Sequence, residues 1–160
     1  MVRLARVFLQ LLALGAILAY SGCRSGEPAA QNGISVTASF YPLYEAARQI
    51  GGDRASVKLL VPPGTEPHDF DPTPQDIVGL LKAKVIVYNG AGLEPWLERL
   101  LPDLEKKGIV LVNASNRVRL LEMSDEEDPL RKVPDPHFWL DPVYMQEVVL
   151  GIRDSLIQAD

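Results

Sequence analysis

Val85-Ile86-Val87-Tyr88-Asn89-Gly90-Ala91-Gly92-Leu93-Glu94-Pro95-Trp96-Leu97 is the stretch that decides the fold. Its four opening residues are an uninterrupted apolar run, which predicts a strand covered on both faces, as in a parallel sheet. Leu93, Trp96, Leu97, Leu100, Leu101 and Leu104 then fall at helical spacing and predict a helix whose apolar stripe belongs to the core.

The same alternation extends in both directions. Ile34–Phe40, Ser56–Val61 and Ile109–Val112 read as further strands. Pro42 opens a helix that carries Leu43, Ala46, Ala47 and Ile50 on one face and closes at Gly51-Gly52. Thr73 is an N-cap ahead of Pro74, with Asp76 in the first turn, for a helix running to about Lys82. Four strand–helix alternations place the chain in the α/β class. The expected lobe is a four-stranded parallel sheet with right-handed crossovers and helices on both sides.

Residues 113–140 break the pattern. They read as a long connector carrying the acidic patch Asp125-Glu126-Glu127-Asp128, and a loop of that length is functional or disordered. The patch itself reads as a solvated acidic loop. Asp141 then caps a helix that begins at Pro142, with Met145, Val148, Val149, Ile152 and Leu156 on one stripe.

The chain contains two histidines, each in a proline-stiffened segment flanked by carboxylates. His68 lies in Val61-Pro62-Pro63-Gly64-Thr65-Glu66-Pro67-His68-Asp69-Phe70-Asp71-Pro72, and His137 in Asp135-Pro136-His137-Phe138-Trp139-Leu140-Asp141-Pro142. Imidazole is the commonest metal-ligating side chain, so His68 and His137 are the candidate metal ligands. The competing reading is a pair of solvated loop histidines. A closed zinc site takes four ligands in a tetrahedron, so two imidazoles alone make a weak, open one. Among nearby carboxylates, Asp141 reads as an N-cap, and Asp69 and Asp71 as turn residues. Asp69 or Asp135 is placed to accept the second ring N–H of a ligating histidine and fix its tautomer.

The N-terminus predicts export. Arg3 and Arg6 precede the apolar run Val7–Tyr20, broken only by Gln10 and too short to span a bilayer comfortably. Ser21-Gly22 then precede Cys23, the only cysteine, which excludes an intramolecular disulfide framework. Residues 1–22 resemble a bacterial lipoprotein signal with Cys23 as the lipid anchor, although Tyr20 stands where an aliphatic residue is usual. The alternative is a free thiol after a plain secretory signal. Residues 23–33 are polar and small, a flexible tether. Without residues 1–22 the chain keeps 14 basic against 21 acidic residues, a net charge of −7. An acidic chain with no basic cluster is a poor nucleic-acid binder and a plausible neighbour for cations.

Together these segments carry a family resemblance. The lipoprotein-like start, Pro63-Gly64-Thr65-Glu66-Pro67-His68-Asp69-Phe70 after the second strand, Gly92-Leu93-Glu94-Pro95-Trp96-Leu97 after the third, and Asp135-Pro136-His137-Phe138-Trp139-Leu140-Asp141-Pro142 agree in order and spacing with the zinc/manganese solute-binding lipoproteins of bacterial ABC importers. The last segment is the most specific, since that family carries Asp-Pro-His, an aliphatic or aromatic residue, then Trp-Leu-Asp-Pro before a long helix. The resemblance covers roughly residues 34–160 and the N-terminal half of such a protein. It implies an α/β metal-binding lobe over 34–140, the acidic connector 113–140 included, and the start of an inter-lobe helix over 141–160. It further implies a truncated form, with the remaining metal ligands on a missing second lobe. With one lobe alone, the stripe of that helix is expected to stand open.

The function implied is capture of a divalent transition metal, zinc or manganese, outside the cytoplasm, for delivery to an ABC permease. The lipid at Cys23 would tie the protein to the periplasmic or cell-surface side of a bacterial membrane. The histidine-rich insertion of many zinc-type members is absent from the connector. Two other classes compete. One is a secreted metal-dependent hydrolase, against which stands the lack of a His-Glu-x-x-His pair or a Gly-x-Ser-x-Gly elbow. The other is a surface adhesin, for which no residue pattern speaks independently. The chain is therefore expected to be a binding protein and not an enzyme.

Overall fold

The computed structural model describes residues 33–125 and 128–160. The expected signal, the lipid anchor Cys23 and all of the tether but Gly33 lie outside the described residues, as do Glu126 and Glu127 of the acidic patch.

The strand built on Val85 is the centre of the molecule. β1 (Ile34–Ala38), β2 (Ala55–Leu59), β3 (Val85–Tyr88) and β4 (Val110–Asn113) form one parallel sheet in the order β2-β1-β3-β4. Every residue of β3 is buried, as its unbroken apolar run requires. It aligns Val36 with Val85 on one side and Val85 with Val110 on the other. The order reverses direction at β1, and with right-handed crossovers the connections on its two sides cover opposite faces of the sheet.

The helices follow their caps. α1 (Tyr41–Gly51) starts with Pro42 in its first turn and ends on Gly52 at a φ of 49°, a left-handed position open to glycine. α2 (Pro74–Leu80) has the predicted cap in full. Thr73 Oγ1 accepts from the Asp76 backbone N–H, and the Asp76 carboxylate accepts from the Thr73 N–H at 3.1 Å.

Three expectations are corrected. The stripe from Leu93 to Leu104 is not one helix but α3 (Pro95–Glu98) and α4 (Leu101–Lys106). Pro102 has no N–H for the preceding turn, so the first helix stops and a second opens with that proline in its first turn. The stripe still serves the core, with Leu93, Trp96, Leu97 and Leu104 all buried.

The connector 113–140 is not structureless either. Ala114–Arg117 forms a 3-10 turn whose N-cap Asn113 accepts from Ser115 N–H. β5 (Glu122–Ser124) and β6 (Lys132–Pro134) pair antiparallel, and a second 3-10 turn spans Phe138–Leu140. In the patch, Asp125 faces Arg131 at 3.6 Å and accepts from the Asp128 N–H.

The last helix, α5 (Pro142–Ala159), is capped by Asp141, whose carboxylate accepts from Val143 N–H at 2.8 Å. Its stripe does not stand open. Val148, Gly151, Ile152, Leu156 and Ala159 are buried as the helix packs on α1 and on the turn at 114–117. Full burial of such aliphatic side chains stabilises by roughly 1.5–3 kcal/mol each, enough to hold the helix on this lobe. No helix among the described residues is long and apolar enough to cross a membrane.

Candidate metal centre

In an open parallel sheet, ligands gather at the carboxyl ends of the strands, where the strand order reverses. Here that edge carries Ser39 and Phe40 after β1, the Leu60–Asp71 loop after β2 and the Asn89–Glu94 turn after β3. His68 sits on the loop after β2. His137 arrives from the far end of the connector, as the N-cap of the Phe138–Leu140 turn.

The structure brings the two histidines together, with ring centroids 6.5 Å apart. His137 also lies 5.1 Å from the ring of Trp139, which in turn meets Phe40 edge-on at 4.8 Å. Both histidines are exposed. A cleft of about 450 Å³ opens beside His137, lined in part by Leu121, Leu140 and Pro142. Of that lining Leu140 is 74 % exposed, and Val143 in α5 is 63 % exposed.

Of the two carboxylates considered for orienting a histidine ring, Asp135 takes the role. Its Oδ1 accepts from the His137 backbone N–H at 2.9 Å and meets Nδ1 at 2.8 Å. With the proton on Nδ1, the free lone pair lies on Nε2. The backbone hydrogen bond from His137, reinforced by its ring, holds the Asp135 carboxyl below the ordinary carboxylate range. Asp69 contributes instead to a turn, donating its backbone N–H to Glu66 O. Among the described residues, no group of three or more His, Cys, Asp or Glu is placed to hold a metal ion.

Both histidine loops are tied to the segment quoted at the outset. Trp96 Nε1 donates to Pro67 O at 3.0 Å, directly before His68, and the Trp96 ring meets Phe70 edge-on at 5.2 Å. Asn89 Nδ2 donates to Pro136 O at 3.0 Å, directly before His137. Trp96 therefore does more than the core packing its stripe position predicts.

Glu94 is the residue whose part sequence reasoning missed. Its place directly before Pro95 suits a helix start, yet it is 1 % exposed and accepts three hydrogen bonds. Ser39 Oγ donates to its Oε1 at 2.6 Å, Asn89 N–H to Oε1 at 2.8 Å and Gly90 N–H to Oε2 at 3.0 Å. Burial holds its carboxyl above the usual range, and the three donors offset that only in part. One signal was present in the sequence: glutamate is a poor N-cap beside Ser, Thr, Asp or Asn, so a Glu directly before Pro95 is spent elsewhere.

Comparison with known proteins identifies relatives of the chain. The chain is 36% identical over 135 residues to the high-affinity zinc uptake system protein ZnuA of Bacillus subtilis, covering 79% of this chain and 42% of that protein. It is 37% identical over 128 residues to the manganese-binding lipoprotein MntA of Halalkalibacterium halodurans, covering 80% of this chain and 40% of that one. The crystal structure of Zn(II)-bound AdcA from Streptococcus pneumoniae superposes with a TM-score of 0.69 at 34% identity, over 79% of this chain and 26% of the crystal chain. The chain thus spans less than half the length of each of these relatives. The model of the zinc-uptake complex component A, periplasmic (ZnuA) family matches residues 36–160. On that match, the chain belongs to the ZnuA family of zinc-uptake components.

Proposed function

We propose that this lobe supplies half of a capture site for a divalent transition metal, zinc or manganese, with His68 and His137 as its ligands through Nε2. The observation that carries the reading is the pair of imidazoles converging at the carboxyl edge of the sheet, one already held in the ligating tautomer by Asp135. Two imidazoles sharing a tetrahedral zinc ion, at its usual Zn–N distance, have centroids about 5 Å apart. The present 6.5 Å separation needs a closure of roughly an ångström, within reach of loop His68.

The remaining ligands belong to a second lobe that closes over the exposed Leu140 and Val143, with α5 as the link at 141–160. The metal is cargo, handed to the membrane permease of an ABC importer, and the protein does not transform it. Residues 1–22 act as the export signal, Cys23 carries the lipid, and 23–33 tether the lobe of 34–140 to the membrane surface. Names of relatives that specify zinc in one case and manganese in another support the metal class without choosing between the two.

The test is a calorimetric zinc titration of the chain at neutral pH. His68→Ala and His137→Ala are each expected to abolish binding. Undiminished binding in both variants contradicts the assignment.

A further inference from the structure

The geometry points to Glu94 as the positioning residue of the site: a buried carboxylate that sets the separation of the two histidines without touching either. This rests on the metal site proposed above and adds what aims it.

Glu94 stands where three parts of the chain meet. Its Oε1 gathers Ser39, which follows β1, and the backbone of Asn89, which follows β3, while its Oε2 holds Gly90. The carboxylate therefore ties together the ends of the two central strands. A buried carboxylate with three donors is firmly placed, because loss of any donor leaves charge uncompensated in a dry setting. The turn it closes is strained. Gly90, Ala91 and Gly92 have φ values of 73°, 54° and 82°, and Ala91 is the one non-glycine at positive φ among the described residues. A side chain at Gly90 would run into the Asn113 amide. Strain of this kind persists where surrounding contacts over-determine it, and here those contacts end on Glu94.

The consequence reaches both loops. With its backbone fixed by Glu94, Asn89 presents its side-chain amide to Pro136 O, the carbonyl directly before His137. Two residues after Glu94, Trp96 holds Pro67 O, the carbonyl directly before His68. Each histidine is thus preceded by a proline whose carbonyl is gripped by one short segment. Proline removes a backbone donor and fixes φ, so gripping its carbonyl leaves the following histidine little freedom to drift.

The test loads the full chain with one equivalent of Cu²⁺, a probe whose electron paramagnetic resonance counts bound imidazole nitrogens, and measures zinc affinity in parallel. The unaltered chain is expected to show two imidazoles, and His68→Ala and His137→Ala one each. Glu94→Gln keeps the size of the side chain but turns an amide N–H₂ toward backbone donors. It is expected to lose the two-imidazole pattern and to weaken zinc binding ~10–100-fold, the range seen when a residue orienting a ligand is removed, with its circular dichroism that of a folded chain. Asn89→Ala, which leaves Glu94 in place and cuts only the link to Pro136, is expected to do the same and decides the matter if Glu94→Gln fails to fold. A two-imidazole pattern and unchanged affinity in Asn89→Ala and in folded Glu94→Gln overturn the inference while leaving the histidine site intact. If instead the single-histidine variants keep two imidazoles, the site assignment itself has failed, and the inference falls with it.

Discussion

Asp135 carries two hydrogen bonds from His137, one from the backbone and one from the ring, and this pair makes the site testable at the scale of one residue. Asp135→Asn removes the charge that favours Nδ1–H, and zinc affinity is expected to fall ~10–100-fold; a competition titration showing no change would contradict the role. The pH dependence has a definite sign. Because its carboxyl is held below the ordinary range, Asp135 is ionised at neutral pH and keeps accepting from the His137 ring. Protons and metal compete for the same ring nitrogen, so zinc affinity should weaken as pH falls. A profile flat down to the carboxylate range would mean that the histidines are not the ligands. Asp135 was legible in the sequence as one of two carboxylates able to orient a histidine. For Glu94 only the poor N-cap was legible, because its contact with Ser39, 55 positions earlier in the chain, is recorded by no local pattern.

At the scale of the element, the capping box that opens α2 offers the cleanest measurement. Thr73→Ala is expected to cost about 1 kcal/mol, read as a lower urea midpoint at unchanged slope. An unmoved midpoint would contradict the cap. The Thr73 side chain is the first cause that lowers the Asp76 carboxyl pKa. A carboxylate with a depressed folded pKa stabilises above its unfolded value and loses that contribution as pH falls through the folded one. The Thr73→Ala penalty should therefore be full at neutral pH and shrink below about pH 4. This cap, the Pro42 start of α1 and the Asp141 cap of α5 were all readable, because each is a local matter of one hydroxyl, carboxylate or proline. The break at Pro102 was hidden by leucines that keep helical spacing across it. The β5–β6 hairpin was hidden by a connector whose polar residues give little alternation, its pairing resting on backbone bonds such as Asp135 N–H to Leu121 O.

For the whole molecule, the order β2-β1-β3-β4 is what turns separate motifs into a site. It places the ends of β1 and β3 side by side, so the turn after β3 reaches the loop after β2 through Trp96 and the end of the connector through Asn89. Neighbourhood of that kind is set by topology, which explains why the histidines could be named from their segments while their separation could not. The helix stripe expected to stand open is instead buried on α1, while Leu140 and Val143 stay exposed. The central claim is that one ion joins His68 and His137. With only two histidines in the chain, long-range ¹H–¹⁵N spectra of the imidazoles during zinc addition report on each without ambiguity. The account predicts that both Nε2 resonances move together to metal-bound positions at one equivalent of zinc while Nδ1 of His137 keeps its proton. Movement of neither resonance, or of one alone, would contradict it.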